Sequence, residues 1–193
     1  MKDWIGNKKA TFVTLGASSH SDSDRESNDY YATDPRTIDE LFSVETFTDL
    51  PVWEPACGEG HLSKEIEKYT SVKSSDLINR GFGEVQDFLT YTGVWEGHII
   101  TNPPYKYAQD FVEKSLDIIK DGSKVAMFLK ITFLEGQKRL NLFKKYPPKV
   151  VYVYSSRRQC GINGKFVGSS AACYAWFVWE KGVTTETVVR WIK

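Results

Sequence analysis

The chain has few of the features that mark a disulfide- or metal-built protein. Its 193 residues hold three cysteines, Cys57, Cys160 and Cys173, far apart and without a CxxC pair. That pattern points to a reducing compartment and away from a zinc site. No window approaches the roughly eighteen consecutive apolar residues of a membrane-spanning helix, and the polar start Met1-Lys2-Asp3 is unlike a signal peptide. A cytoplasmic protein with no membrane partner and no metal is expected. Internal repeats are absent, and so is net charge, since 25 Lys and Arg balance 25 Asp and Glu. What remains is an ordinary globular composition, 41% hydrophobic, 14% aromatic and 26% charged. The length suits one domain with its own core.

The zero net charge hides an asymmetry. From Ile131 to Lys193 there are 11 Lys and Arg against 3 Glu and no Asp, a balance of +8, so residues 1–130 carry −8. Either the last third folds into a basic face that tracks a phosphate backbone, or the charges disperse over a solvated surface.

Thr101-Asn102-Pro103-Pro104-Tyr105 carries the most chemistry. It follows the apolar run His98-Ile99-Ile100, which reads as a buried strand. Each proline biases the residue before it towards extended backbone and has no N–H of its own to donate. The Asn102 side-chain oxygen and the Pro103 carbonyl then form a fixed pair of acceptors beside the Tyr105 ring, a device suited to a planar group bearing an NH2. The plainer alternative is a Pro-Pro turn that ends a strand.

Read in order, residues 1–28 form a polar arm whose run Ser18-Ser19-His20-Ser21-Asp22-Ser23-Asp24 is too polar to bury anything. In Asn28-Asp29-Tyr30-Tyr31-Ala32-Thr33-Asp34-Pro35, Thr33 or Asp34 caps a helix that starts near Pro35 and runs through Ile38, Leu41 and Phe42. Tyr30 and Tyr31 either pack at that helix start or line an adenine-sized slot. Val52-Trp53-Glu54-Pro55-Ala56-Cys57-Gly58-Glu59-Gly60 is a strand running into a glycine turn, with a helix following through Leu62 and Ile66. That is the usual nucleotide site of open α/β sheets, and the glycines allow a ligand close to the backbone. A third glycine is missing, which counts against a pyrophosphate-binding dehydrogenase. Asp76, at the end of a second strand, is either a plain cap or turn residue or, by its place in this series, set to accept from ribose hydroxyls. Asp87-Phe88 ends a third strand, where either the carboxylate suits an adenine amino group and the Phe88 ring its face, or an exposed Asp simply stands beside a core Phe. Helical periodicity runs from Ala108 to Ile119, a buried strand covers Lys124–Leu129, and a basic helix holds Leu142, Phe143 and Lys145. Lys149–Ser155 and Ala171–Trp179 are aromatic-rich strands. The segment between them, with Arg157, Arg158, Lys165 and Phe166, is either a loop against nucleic acid or a plain hairpin connection. This alternation gives an α/β fold, a doubly wound sheet with an antiparallel edge strand.

Taken together, these motifs resemble the small bacteriophage type of S-adenosylmethionine-dependent DNA N6-adenine methyltransferase. The likeness rests on Asp29–Pro35, Glu54-Pro55-Ala56-Cys57-Gly58-Glu59-Gly60, Asp76, Asp87-Phe88 and Asn102-Pro103-Pro104-Tyr105, in that order. Phe133-Leu134-Glu135-Gly136 with Arg139, and Ala175–Lys181, add to it. The resemblance implies a Rossmann-like class I methyltransferase fold with seven strands, S-adenosyl-L-methionine as cofactor, and no separate target-recognition domain beyond one domain at 29–193. It implies cofactor contacts from Tyr30, Tyr31, Thr33, Pro35, Glu54, Ala56, Cys57, Gly58, Gly60, Asp76, Leu77, Asp87, Phe88 and Asn102. Asn102, Pro103, Pro104 and Tyr105 would act on an adenine flipped from double-stranded DNA. Tyr105, Lys138, Arg139, Arg157, Arg158, Lys165 and Phe166 would touch the nucleic acid. A monomer or weak homodimer of phage or prophage origin, with short or loose specificity, completes the expectation. RNA adenine, protein glutamine and a non-catalytic cofactor- or DNA-binding module stand as alternatives.

Overall fold

Apolar strand runs alternating with amphipathic helices build a mostly parallel sheet covered on both faces. The computed structural model describes residues 32–156, 158, 160, 161 and 172–193. The arm at 1–28, with Tyr30, Tyr31, Arg157, Lys165 and Phe166, lies outside the described residues. The first half of the chain forms β1 (Ala32–Thr33), α1 (Arg36–Val44), β2 (Val52–Glu54), α2 (His61–Ile66), β3 (Val72–Asp76), β4 (Glu84–Val85) and β5 (His98–Thr101). The second half forms α3 (Ala108–Ile118), β6 (Lys124–Lys130), α4 (Leu140–Lys145), β7 (Val150–Tyr154), β8 (Cys160–Gly161), β9 (Tyr174–Glu180) and β10 (Val188–Ile192).

Eight strands make the main sheet in the order β10-β7-β9-β6-β5-β2-β3-β4. All neighbours are parallel except β9, which runs antiparallel to both β6 and β7. The seven expected strands are present, and β10 adds an eighth outside β7. The antiparallel strand stands towards that edge, inserted between β6 and β7. Four of the five β10 residues are exposed, so no buried run announced it, although Val-Val-Arg-Trp-Ile has β-branched and aromatic content. The third strand is shorter than expected: β4 has two residues, and Asp87 instead caps a 3-10 turn at Phe88–Thr90. A separate two-stranded piece pairs β1 with β8.

Alternate residues of each central strand serve opposite faces. From β6, Val125, Met127 and Leu129 join Trp53, Ile99 and Phe177 against Phe111, Val112 and Leu116 of α3. Ala126 and Phe128 join Val52, Ile100 and Trp176 against Ile38 and Leu41 of α1 and Leu62 and Ile66 of α2. Helices on both faces explain why β6 and β9 read as continuous apolar runs instead of alternating ones.

The chain changes direction across the sheet at β2, which pairs with β3 on one side and β5 on the other. Such a switch point leaves a crevice outside the carboxyl ends of the strands. Carrying the β2–β3 register on by two residues and the β2–β5 register on by three sets Asp76, Ala56 and Asn102 at one level across three neighbouring strands. Among the described residues no helix is long and apolar enough to cross a membrane, and no three His, Cys, Asp or Glu are grouped to hold a metal.

Candidate functional site

The glycine turn after β2 is tied to the tip of β3. The Gly58 amide donates to Asp76 Oδ2 at 2.9 Å, and the Ile78 amide donates to Oδ1 at 3.0 Å. Each carboxylate oxygen has a second lone pair for a ligand hydroxyl. Gly58 and Gly60 adopt φ 54° and 78°, backbone that glycine enters without penalty. At Gly60 the close neighbour is protein: a Cβ there would lie 2.4 Å from the Phe82 ring. The Gly81-Phe82-Gly83 turn thus closes on the glycine loop, and Phe82 O also accepts from Cys57 Sγ at 3.7 Å. Burial, with the nearby carboxylates of Glu54 and Asp76, pushes the Cys57 thiol up to about 12. It remains a thiol at neutral pH and packs the loop.

Glu54 ends β2 with its side chain fully buried. Ser63 Oγ from α2 donates to Glu54 Oε2, and Ser63 Oγ and Ser74 Oγ lie 2.6 Å apart. Burial outweighs these bonds and raises the Glu54 carboxyl to about 8. Single serines in a helix and a strand carry no pattern signal, so Ser63 and Ser74 were invisible in sequence. Ala56 is half-buried, and Leu77, beyond Asp76, is exposed.

The tip of β5 leads into Asn102 and the two prolines. Pro104 is extended at φ −55°, ψ 125°, and a 3-10 turn at Tyr105–Tyr107 follows before α3. Asn102 Nδ2 donates to Thr33 Oγ1 at 2.7 Å, which fixes the amide and directs its oxygen the other way. That oxygen is shielded from solvent. Thr33 is itself buried, and it reaches Asn102 from β1, whose antiparallel partner is β8. Tyr105 Oη lies 2.9 Å from Tyr174 Oη at the start of β9, and the Tyr174 ring stacks on Phe128 with centroids 5.0 Å apart. Lys130 Nζ sits over the Tyr105 ring, 4.5 Å from its centroid. Tyr174 and Lys130 went unnoticed in sequence because residues at strand ends have no periodic signature.

At the outer strands the expectation for Phe88 needs correction. Asp87 is exposed and its Oδ1 accepts from the Leu89 amide at 2.9 Å. Phe88 is a core residue, 2% exposed, with its ring between Trp53 and Phe111, so that ring has no open face for an adenine. Asp34, one of the two expected caps, accepts from the Arg36 amide at 3.1 Å and from its guanidinium at 3.0 Å. Burial opposes its charge, but the Arg36 bonds and the charges of Arg36 and Arg158 hold Asp34 below the usual carboxylate range. Pro35 is half-buried beside it.

Two of the basic residues expected on nucleic acid are committed internally. Arg158 forks onto Glu40 of α1, at 3.1 Å to Oε2 and 2.5 Å to Oε1, with its guanidinium 4.8 Å over Tyr154. Arg139 donates to the Phe133 carbonyl at 2.8 Å, to the Thr132 carbonyl at 3.3 Å, and to that of Glu135, holding the loop after β6 together. An arginine with that many donors and a fixed fork satisfies loop carbonyls well, and sequence cannot distinguish that use from phosphate binding. Lys138, next to it, is exposed.

No protein-family model matches the sequence, and no curated protein matches it. Solved structures do match in fold. A candidate class I S-adenosylmethionine-dependent methyltransferase from Listeria monocytogenes aligns with TM-score 0.61 and 13% identity, over 95% of this chain and 71% of that one. A candidate RNA methyltransferase from Pyrococcus horikoshii aligns with TM-score 0.61 and 12% identity, over 91% of this chain and 100% of that one. The fold is that of the class I methyltransferases. A modification subunit of a candidate type I restriction enzyme from Vibrio vulnificus aligns with TM-score 0.57 and 12% identity, over 86% of this chain and 47% of that one.

Proposed function

We propose that this chain transfers a methyl group from S-adenosylmethionine to the exocyclic amino group of adenine in DNA. One observation carries the reading: Asn102, oriented by Thr33 and followed by Pro103 and an extended Pro104, stands level with Asp76 and the glycine loop at the switch point. Strands lie about 4.8 Å apart, so Asn102 and Asp76 flank a crevice about 10 Å across, the scale of a nucleoside. The residues present fit the cofactor. The Asp76 carboxylate faces a ribose, the backbone of the glycine turn at Gly58 accommodates the methionine end, and the exposed Asp87 stands one strand further out for the adenine amino group. Thr33 and Pro35 border the methionine end.

The bound cofactor supplies a methyl group already electrophilic on a sulfonium sulfur. The protein must activate the nucleophile, because the adenine amino lone pair is delocalised into its ring. Asn102 Oδ1 and the Pro103 carbonyl accept hydrogen bonds from the two amino hydrogens, localise that pair on nitrogen and aim it, and the methylated amino group then releases one proton to solvent. A shielded, pre-oriented acceptor strengthens such bonds and needs no reorganisation. Alignment supplies much of the remaining acceleration. Tyr105, its hydroxyl anchored by Tyr174, stacks on the base, worth about 1–3 kcal/mol towards the few kcal/mol that flipping costs. The fold likeness to a restriction-modification subunit supports DNA as the polymer.

The deciding assay incubates the protein with methyl-labelled S-adenosylmethionine and, separately, DNA, RNA and protein, then analyses the products. N6-methyladenine in DNA is expected, and label confined to RNA or to glutamine overturns the reading. Asn102→Ala should keep cofactor binding and lower kcat by about 10²–10³, as for removal of one preorganised hydrogen-bonding group. Methylation by that variant at the parent rate would remove Asn102 from the chemistry.

A further inference from the structure

We propose that Lys130 is a placeholder for the target base. Its ammonium holds the stacking face of Tyr105 in the free protein and passes to a phosphate of the flipped nucleotide once the base takes that face. The inference rests on the reading of Tyr105 as the base-stacking ring.

Lys130 is the last residue of β6, the strand hydrogen-bonded to β5. Carrying the Thr101↔Met127 register on by three residues sets Lys130 level with Pro104, next to Tyr105. On its other side Lys130 pairs with Tyr174 across the β6–β9 ladder. The same Tyr174 anchors the Tyr105 hydroxyl at 2.9 Å and is itself stacked on Phe128, with rings 8° apart. The ring plane of Tyr105 is therefore set by buried neighbours, while the group on its face is a flexible lysine.

That face lies 4.5 Å below the ammonium, which is the volume a stacked base needs, so cation and base exclude each other there. The attraction of a cation for a ring face is modest at a part-exposed site, so the cation can give way. A lysine also has a long stem and three rotatable donors with which to follow a phosphate. Charge accounting favours this residue. Arg139 and Arg158 are held by loop carbonyls and by Glu40, whereas Lys130 has no carboxylate of the described residues within ion-pair distance. A flipped nucleotide brings both a ring for Tyr105 and an anion for the displaced cation.

The test uses equilibrium binding of the full chain, with S-adenosylmethionine present, to two single-stranded oligonucleotides. One contains adenines, and the other is identical but abasic at those positions. Lys130→Met keeps the stem and removes the charge. It should weaken the adenine oligonucleotide about fivefold and lower the slope of log K against log salt by about 0.7, the value for one phosphate contact on a single strand. On the abasic oligonucleotide, where nothing displaces the cation, slope and affinity should match the parent. Lys130→Arg should restore the adenine slope, and cofactor affinity should hold in both variants. Equal slope changes on both oligonucleotides would mean a plain phosphate contact, and no change on either would mean a prop for Tyr105; each overturns the proposal. Absence of methyladenine with the parent protein is a separate result that removes the activity reading, while the binding comparison still decides Lys130.

Discussion

Replacing Glu54 by glutamine should make the protein more stable at alkaline pH, and the structure gives the size. The carboxyl is buried at the end of β2, and burial raises it from an ordinary 4.5 to about 8. Folded protein at neutral pH therefore holds it mostly neutral, whereas in the unfolded chain it ionises above about 4.5. Between those values the unfolded state binds fewer protons, so stability is fully present below the unfolded pKa and falls as pH rises through the folded one. The gap converts, at about 1.4 kcal/mol per pKa unit, to a ceiling of about 5 kcal/mol at pH 8 and above. Glutamine has the same shape, keeps an oxygen for the Ser63 hydroxyl and cannot ionise. Urea unfolding of parent and Glu54→Gln at pH 5, 6, 7 and 8 measures the effect through midpoint and m-value. The two should agree near pH 5 and diverge by a few kcal/mol at pH 8, with the variant ahead. Parallel curves across that range would show that Glu54 is not buried as a neutral acid.

Other perturbations probe separate joints. Gly60→Ala should destabilise by about 2–3 kcal/mol, from a left-handed φ that an L side chain rarely adopts and from the Phe82 ring, and adding Phe82→Ala should recover part of it in a thermal-melt double-mutant cycle. Burial first, and then the Lys124 charge, hold His98 below its usual range. Its contribution is therefore present above the unfolded pKa of about 6.5 and lost as pH falls below it; His98→Gln should flatten that acid limb in chemical denaturation. Arg158→Met should lower stability and leave the salt slope of DNA binding unchanged, because Glu40 already holds the guanidinium. A flattened slope would return that arginine to the phosphate interface.

The sheet and the line of strand ends that makes the candidate site were legible in the sequence because both rest on local patterns. Buried central strands show as apolar runs, and a Gly-x-Gly after a strand marks the tip of that strand. Asn102, Asp76 and the glycine loop fall on adjacent strand ends because the switch-point topology requires it. The illegible parts depend on contacts distant in sequence. Phe88 reads as a binding aromatic beside Asp87, yet Trp53 and Phe111 enclose it. The basic last third reads as a phosphate face, yet Arg139 and Arg158 bond inwards, Lys149 lies 2.6 Å from Glu180, and Lys181 donates to the Ile119 carbonyl at 2.6 Å. Charge counted along a chain overstates the charge presented to a partner.

The level placing of Asn102 is a matter of register, and register is fixed far from the site. Ile99 belongs to the core on one face of the sheet and Ile100 to the core on the other. A slip of β5 by one residue would exchange them and turn every β5 side chain to the wrong side. The start of the strand is pinned as well. His98 Nδ1 accepts from the Lys124 amide at 2.9 Å, and its Nε2 lies 2.9 Å from Thr48 Oγ1. That bond needs the neutral ring which burial enforces. Asn102, just past one end of β5, is thus held in place by a buried histidine at the other, through a strand too short to stretch between them.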